Sequence, residues 1–294
     1  MGSPWYWRWG GFREGAGGSI AAGAPDVLPA VAAVPRFTLP VGRPVNVCLG
    51  LRSLAPHPLA RRLGATLDLA GIIRQAQPYD YQTPLDLGRF VPPNAFGNAT
   101  APCCVEVAYL LLAAMRRRAA MGSDWLPDGE QAIALLAQWG DPALGTDLAA
   151  AQRFAAVQGI PLGDDLDVCL SMQLPLDPAA LNAAAWLWGG ILLCWALPAY
   201  LQDNPYVDTW DVAAPGASEA ATAPGGWGQH ATASGRRDTI ITWGMQPTVT
   251  QAFRNRYLIS AAACDGSDFM TAAGRTVPGF DRAQVDALRR AMAA

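Results

Sequence analysis

Two residues carry side chains suited to nucleophilic chemistry, Cys104 and His230. Cys104 stands at the head of a segment in which Val105, Ala108, Leu112 and Met115 recur at helical spacing. Pro102 suits a first helical position, which puts the thiol in the first turn, and Arg116–Arg118 mark the end of the helix. A sulfur there feels the positive end of the helix dipole and nearby unpaired N–H groups. Both favour thiolate and make the sulfur a nucleophile near neutral pH. Cys103 and Cys104 equally suit small core positions, the ordinary place of a reduced cysteine.

The second residue is one of only 2 histidines. His57 lies between Pro56 and Pro58 and reads as an exposed loop residue. His230 opens a strand after Gly225-Gly226-Trp227-Gly228-Gln229, an approach with room for a substrate backbone. Neutral imidazole at that point takes the thiol proton, or holds it as the imidazolium of an ion pair. A satisfied structural histidine is the alternative.

The elements that would position the pair follow from periodicity and breakers. Helices are predicted around Leu59–Arg74, at Asp128–Trp139, at Asp147–Gln158 before Gly159, and from the Asp177-Pro178 cap to Trp188. Val168, Leu170, Met172 and Leu174 alternate as a half-buried strand does. Gln229–Ala233 and Thr239–Trp243 read as strands flanking a polar turn, Thr248–Ala263 as one helix, and a last helix starts at Asp281. Residues 76–101 read as extended and turn-rich. Helices lead and strands come late, which predicts an α+β fold.

The segment from Phe96 to Ala108 (FGNATAPCCVEVA) resembles the GN-x-x-x-G-D-C-x-x-A-A nucleophile segment of bacterial and phage papain-like cysteine peptidases. His230-Ala231 resembles their G-H-A-V strand, Thr242-Trp243-Gly244 their T/S-W-G, and Phe253–Tyr257 their F-x-x-x-Y helix. The resemblance covers about residues 80–280 in consistent order. It implies a papain-like fold, with a helical part carrying the cysteine and an antiparallel sheet carrying the histidine. It also implies a cysteine hydrolase of peptide or other amide bonds: Cys104 attacks the carbonyl carbon, His230 moves the proton, and Asn98 donates to the oxyanion. Asn98 also suits a plain turn after Gly97.

The pattern departs in two places. Pro102-Cys103 replaces the usual Gly-Asp, and the orienting asparagine falls on Ile241, which cannot hydrogen-bond an imidazole. Strand alternation turns Thr242 to the opposite face, so the third member is absent or comes from elsewhere. These departures give the alternative function, a degenerate papain-fold structural protein, such as a component of a phage particle.

Composition sets the outer bounds. A chain of 294 residues with 51% hydrophobic and 15% charged residues builds a substantial core, as one domain over 48–294. The net charge of −3 gives no electrostatic reason for a nucleic-acid partner. Lysine is absent, so all 21 basic residues are arginine. The 6 cysteines show no CxxC pair and no zinc-ligand spacing, and no cofactor is expected. The start lacks the order of a signal peptide, which points to the cytoplasm, or to a virion if the gene is a phage's. Ala183–Tyr200 is uncharged, but Gly189-Gly190 and Pro198 interrupt it, so it reads as helix end, turn and buried strand. Residues 1–47 form a Gly/Pro/Ala-rich extended arm with Trp5, Tyr6, Trp7 and Trp9 near its start, suited to anchoring on a partner in an assembly.

Overall fold

Ile191–Leu197 contains no charged side chain, and in the computed structural model all of it is buried at the centre of a sheet. A strand covered on both faces has no use for alternation, so its sequence reads as a continuous apolar run. The structure describes residues 36–38, 44–46, 49, 51–53, 61–62, 69–85, 87, 95–163, 165–266 and 269–293, all within the unit spanning Ala33–Ala294. The aromatic cluster of the arm, Cys48 and His57 lie outside the described residues. Of the arm itself, Arg36–Thr38 and Pro44–Asn46 pair as antiparallel strands.

The principal sheet consists of β1 (Arg61–Arg62), β2 (Cys169–Gln173), β3 (Ile191–Leu197), β4 (Thr209–Trp210), β5 (Gly228–Arg236), β6 (Thr239–Ile241), β7 (Thr248–Val249) and β8 (Leu258–Gly266). They lie in the order β4-β7-β6-β5-β3-β8-β2-β1. Pairing from β7 to β2 is antiparallel, and the two-residue edge strands β4 and β1 pair parallel. The helices are α1 (Leu69–Gln75), α2 (Cys104–Met121), α3 (Gly129–Trp139), α4 (Leu148–Val157), α5 (Pro178–Trp188), α6 (Tyr200–Asp203), α7 (Glu219–Thr222), α8 (Gln251–Tyr257) and α9 (Arg282–Ala293). The mixed α+β expectation holds. Among the described residues no helix is long and apolar enough to cross a membrane.

Two apolar clusters flank the sheet. Buried residues of α2, α3 and α4 meet Leu192 and Cys194 of β3 with Ala231 and Ala233 of β5. On the other side α5 and α8 meet Leu193, Trp195, Trp210 and Trp243. The caps read from sequence do their work: the Asp128 carboxylate accepts from the Gln131 N–H at 2.6 Å, and Asp177 accepts from Ala180 at 2.9 Å. Gly189 ends α5 at φ 74°, a conformation that favours glycine.

Four expectations are corrected. α2 starts at Cys104 with Cys103 as its N-cap, so Pro102 precedes the helix instead of opening it. α2 also runs through Arg116–Arg118 to Met121; arginine is a good helix former, and the stop comes from Gly122 at φ 66°. Thr248–Ala263 is not one helix: it divides into β7, a Thr250-capped α8 and the first part of β8. The alanines there favour helix, but the ladders of β3 and β2 take their backbone. The region of Leu59–Arg74 yields β1 and a shorter α1. In β2, Cys169 and Ser171 are buried along with Met172, because both sides of the sheet are covered.

One charged pair is fully enclosed. Arg116 and Asp167 are ion-paired with both side chains 0% exposed, and the arginine lies against Gly189 and Gly266, where an added Cβ would stand 2.8 and 2.5 Å from it. A buried charge left without its partner is expensive, whereas a surface pair contributes little. Asp167→Ala is therefore expected to lower the unfolding free energy by about 3–5 kcal/mol in urea titration. Asp124→Ala, which breaks the exposed pair with Arg118, is expected to cost less than about 1 kcal/mol.

Candidate active site

The head of α2 lies against β5. Cys104 is the first residue of the helix and is 1% exposed. The backbone N–H of Ala231 donates to its Sγ at 3.4 Å. An N–H aimed at sulfur and a helix N-terminus both favour the thiolate. Ala231 follows His230, so the nucleophile candidate and the base candidate meet through one peptide unit of β5. They are not hydrogen-bonded to each other: His230 Nδ1 has no hydrogen-bond partner.

The other ring nitrogen is held. His230 Nε2 lies 2.6 Å from Thr242 Oγ1, and the imidazole stacks on Trp243 with centroids 4.5 Å apart. The expectation that Thr242 faces away from the imidazole is thus overturned. β6 ends at Ile241, and Thr242 bridges to Met245 across a tight turn with Trp243 at φ 46°; Ile241 packs with α2 while the imidazole stacks on Trp243 in the opposite cluster, so Thr242 shares the ring's side. The T-W-G motif named Thr242 but not the direction of its side chain. Ile241 itself is buried among the α2 cluster.

Asn98 is 2% exposed, in the turn after Ala95–Gly97. Its Oδ1 accepts from the Cys103 thiol at 3.7 Å. The structure thus brings Asn98 to the residue before Cys104, and the contact fixes one end of its amide. The neighbouring Cys194, opposite Ala231 in β3, has its thiol pushed well up by burial, with Cys104 adding to the shift; it is an inert thiol beside the candidate one.

Two titratable groups here are perturbed in opposite senses. Burial pushes His230 down to about 3, so its ring is neutral at ordinary pH. Glu106, two residues after Cys104 and 0% exposed, is pushed up to about 7 by burial, with a hydrogen bond from Thr146 opposing the shift in part. Its Oε2 has no hydrogen-bond partner. Sequence reading passed over Glu106, although a lone acid within the apolar run Val105–Met115 was a signal.

The chain resembles xylellain, a cysteine protease from Xylella fastidiosa, in structure. The TM-score is 0.50 with 9% sequence identity, over 82% of this chain and 99% of that one. The fold is papain-like. At this identity the likeness is one of fold alone. No protein-family model matches the chain, and comparison with curated proteins finds no match.

Opposite pKa shifts give opposite pH dependences. Between an unfolded histidine value near 6.5 and the folded value near 3, the unfolded chain binds a proton that folded His230 refuses, so stability falls on acidification. Relative to His230→Gln, the wild type is expected to lose roughly 2 kcal/mol between pH 6.5 and 4.5, the slope approaching about 1.4 kcal/mol per pH unit once the unfolded histidine is protonated. For Glu106 the folded form holds the proton, so its contribution is intact below about 4.3 and lost as pH rises towards 7. Glu106→Gln is expected to gain roughly 3 kcal/mol on the wild type between pH 4.5 and 7. Urea titrations across this range read both differences.

Proposed function

We propose that the chain is a papain-like cysteine hydrolase acting on a peptide or other amide bond. The observation that carries this reading is the Cys104 sulfur at the head of α2, accepting the Ala231 N–H beside a His230 ring fixed by Thr242 and Trp243. Cys104 attacks the carbonyl carbon, forming a C–S bond. The developing oxyanion takes hydrogen bonds from the backbone N–H of Cys104 and the side-chain amide of Asn98, whose other end is anchored by Cys103. His230 receives the thiol proton and returns it to the leaving amine as the C–N bond breaks, after which water cleaves the thioester. Nδ1, without a partner at rest, is the nitrogen that must meet the sulfur.

Hydrolysis of a fluorogenic peptide-amide panel tests the reading. Cys104→Ala and His230→Ala are each expected to lower kcat/KM by at least about 1,000-fold, and Thr242→Val by a smaller factor because it only loosens the ring. Iodoacetamide below pH 7 should label Cys104 before the other cysteines, as thiolate fraction sets the rate. A Cys104 that stays unlabelled while Cys264 reacts overturns the assignment.

A second reading has its own observation: Cys104 is 1% and His230 0% exposed, and no hydrogen bond joins thiol to imidazole. On that reading the fold is a scaffold in an assembly, such as a phage particle, docked through residues 1–47. Deleting residues 1–40 is then expected to leave a folded protein that no longer enters its complex, as sedimentation with the assembly would report. Unchanged incorporation rejects the docking role.

A further inference from the structure

One buried side-chain amide is built into the strands that hold the histidine. Gln82 is 0% exposed, and both its amide hydrogens and its oxygen are engaged. Oε1 accepts from the Gly235 N–H at 3.3 Å, and Nε2 donates to the Ile240 carbonyl at 3.4 Å and to Gln246 Oε1 at 2.8 Å. A single amide thus joins the end of β5, the middle of β6 and the segment leading into β7. Its own backbone is tied to the same place. The Tyr81 N–H donates to the Gly235 carbonyl at 2.8 Å, and the Gln82 N–H donates to Asp80 Oδ1 at 3.1 Å.

The ladder needs this help where Gln82 stands. Ala233 faces Ile241 and Arg236 faces Thr239, so the register shifts there, with three steps along β5 against two along β6. An extra residue on one strand interrupts the ladder and leaves the offset of its partner to be set by other contacts. Gly235 lies inside the shift, and Gln82 takes its N–H. From β6 the chain enters the turn from Thr242 to Met245, closed by backbone hydrogen bonds of 3.0 and 2.8 Å between those two residues. Gln82 grips the chain on both sides of that turn, at Ile240 before it and at Gln246 after it. The turn carries the hydroxyl that meets His230 Nε2. We propose that Gln82 is a positioning residue, whose amide sets the turn against β5 and so fixes Thr242 on the His230 ring; the catalytic part of this role rests on the hydrolase reading above. Loosening the turn lets the ring drift, and a misplacement of about 1 Å is enough to slow catalysis severely.

With only 2 histidines in the chain, the ring nitrogens can be read directly by magnetic resonance on the full-length protein carrying isotope-labelled histidine. Gln82→Met is expected to shift the His230 ring-nitrogen resonances and to leave those of His57 in place. In Thr242→Val, where the ring has already lost its hydroxyl, adding Gln82→Met should shift them no further, because a residue that acts through Thr242 then has nothing to act on. In hydrolysis of the peptide-amide panel, Gln82→Met is expected to lower kcat about ten-fold with KM unchanged, and not to deepen the loss already present in Thr242→Val. Asp80→Asn is the control. It removes the ion pair with Arg236 but keeps an oxygen for the Gln82 N–H, and it should match the wild type in both measurements. Should Gln82→Met fail to fold, Gln246→Met decides, since it cuts only the bond on the far side of the turn and must also shift His230. Resonances of His230 that stay in place in the folded variant, or a Gln82 effect that persists in full in Thr242→Val, overturn the proposal. A wild type that cleaves no peptide amide rejects the hydrolase reading, while the nitrogen spectra still decide whether Gln82 positions the ring.

Discussion

The candidate site depends on one contact, the head of α2 resting on β5. The N–H of Ala231 reaches the Cys104 sulfur only because α2 lies along the sheet and its first residue comes level with that peptide. That alignment is set at the far end of the helix. Arg116, ion-paired with Asp167 and packed against two glycines, fixes how α2 sits on the sheet. Small residues on β5, Ala231 and Ala233, let the helix approach closely.

The same closeness accounts for the electrostatics. A helix packed against a sheet covered on both sides leaves no water near His230 or Glu106, so each is held in its uncharged form for the same physical reason. Charging either group therefore costs folding stability.

How much of this was legible in the sequence follows from the kind of signal each element leaves. Local signals were reliable: Asp128 and Asp177 cap their helices, and the double glycine after Trp188 turns the chain into a buried strand. Failures came where a neighbour overrode a local preference. The run Leu258–Ala263 favours helix by composition and becomes strand because β3 and β2 lie to either side of it. Arg116–Arg118 looked like a helix end, although one of the three is buried and partnered 51 residues away in sequence. At the candidate site, position and motif order singled out Cys104 and His230, and the structure sets the Cys104 sulfur against the N–H that follows His230. Thr242 could not be singled out in this way, because its orientation depends on where β6 stops.

Holding His230 with a hydroxyl instead of a carboxamide has a consequence for proton traffic. A side-chain amide oxygen only accepts, so it obliges the facing ring nitrogen to keep its hydrogen. The hydroxyl of Thr242 both donates and accepts, so Nε2 is satisfied with or without a hydrogen. Either tautomer of the ring therefore fits the same pocket. In one, Nδ1 offers a lone pair; in the other, it offers a hydrogen. When the ring proton moves from one nitrogen to the other, rotation of the Thr242 hydroxyl hydrogen keeps Nε2 hydrogen-bonded while the ring stays stacked on Trp243.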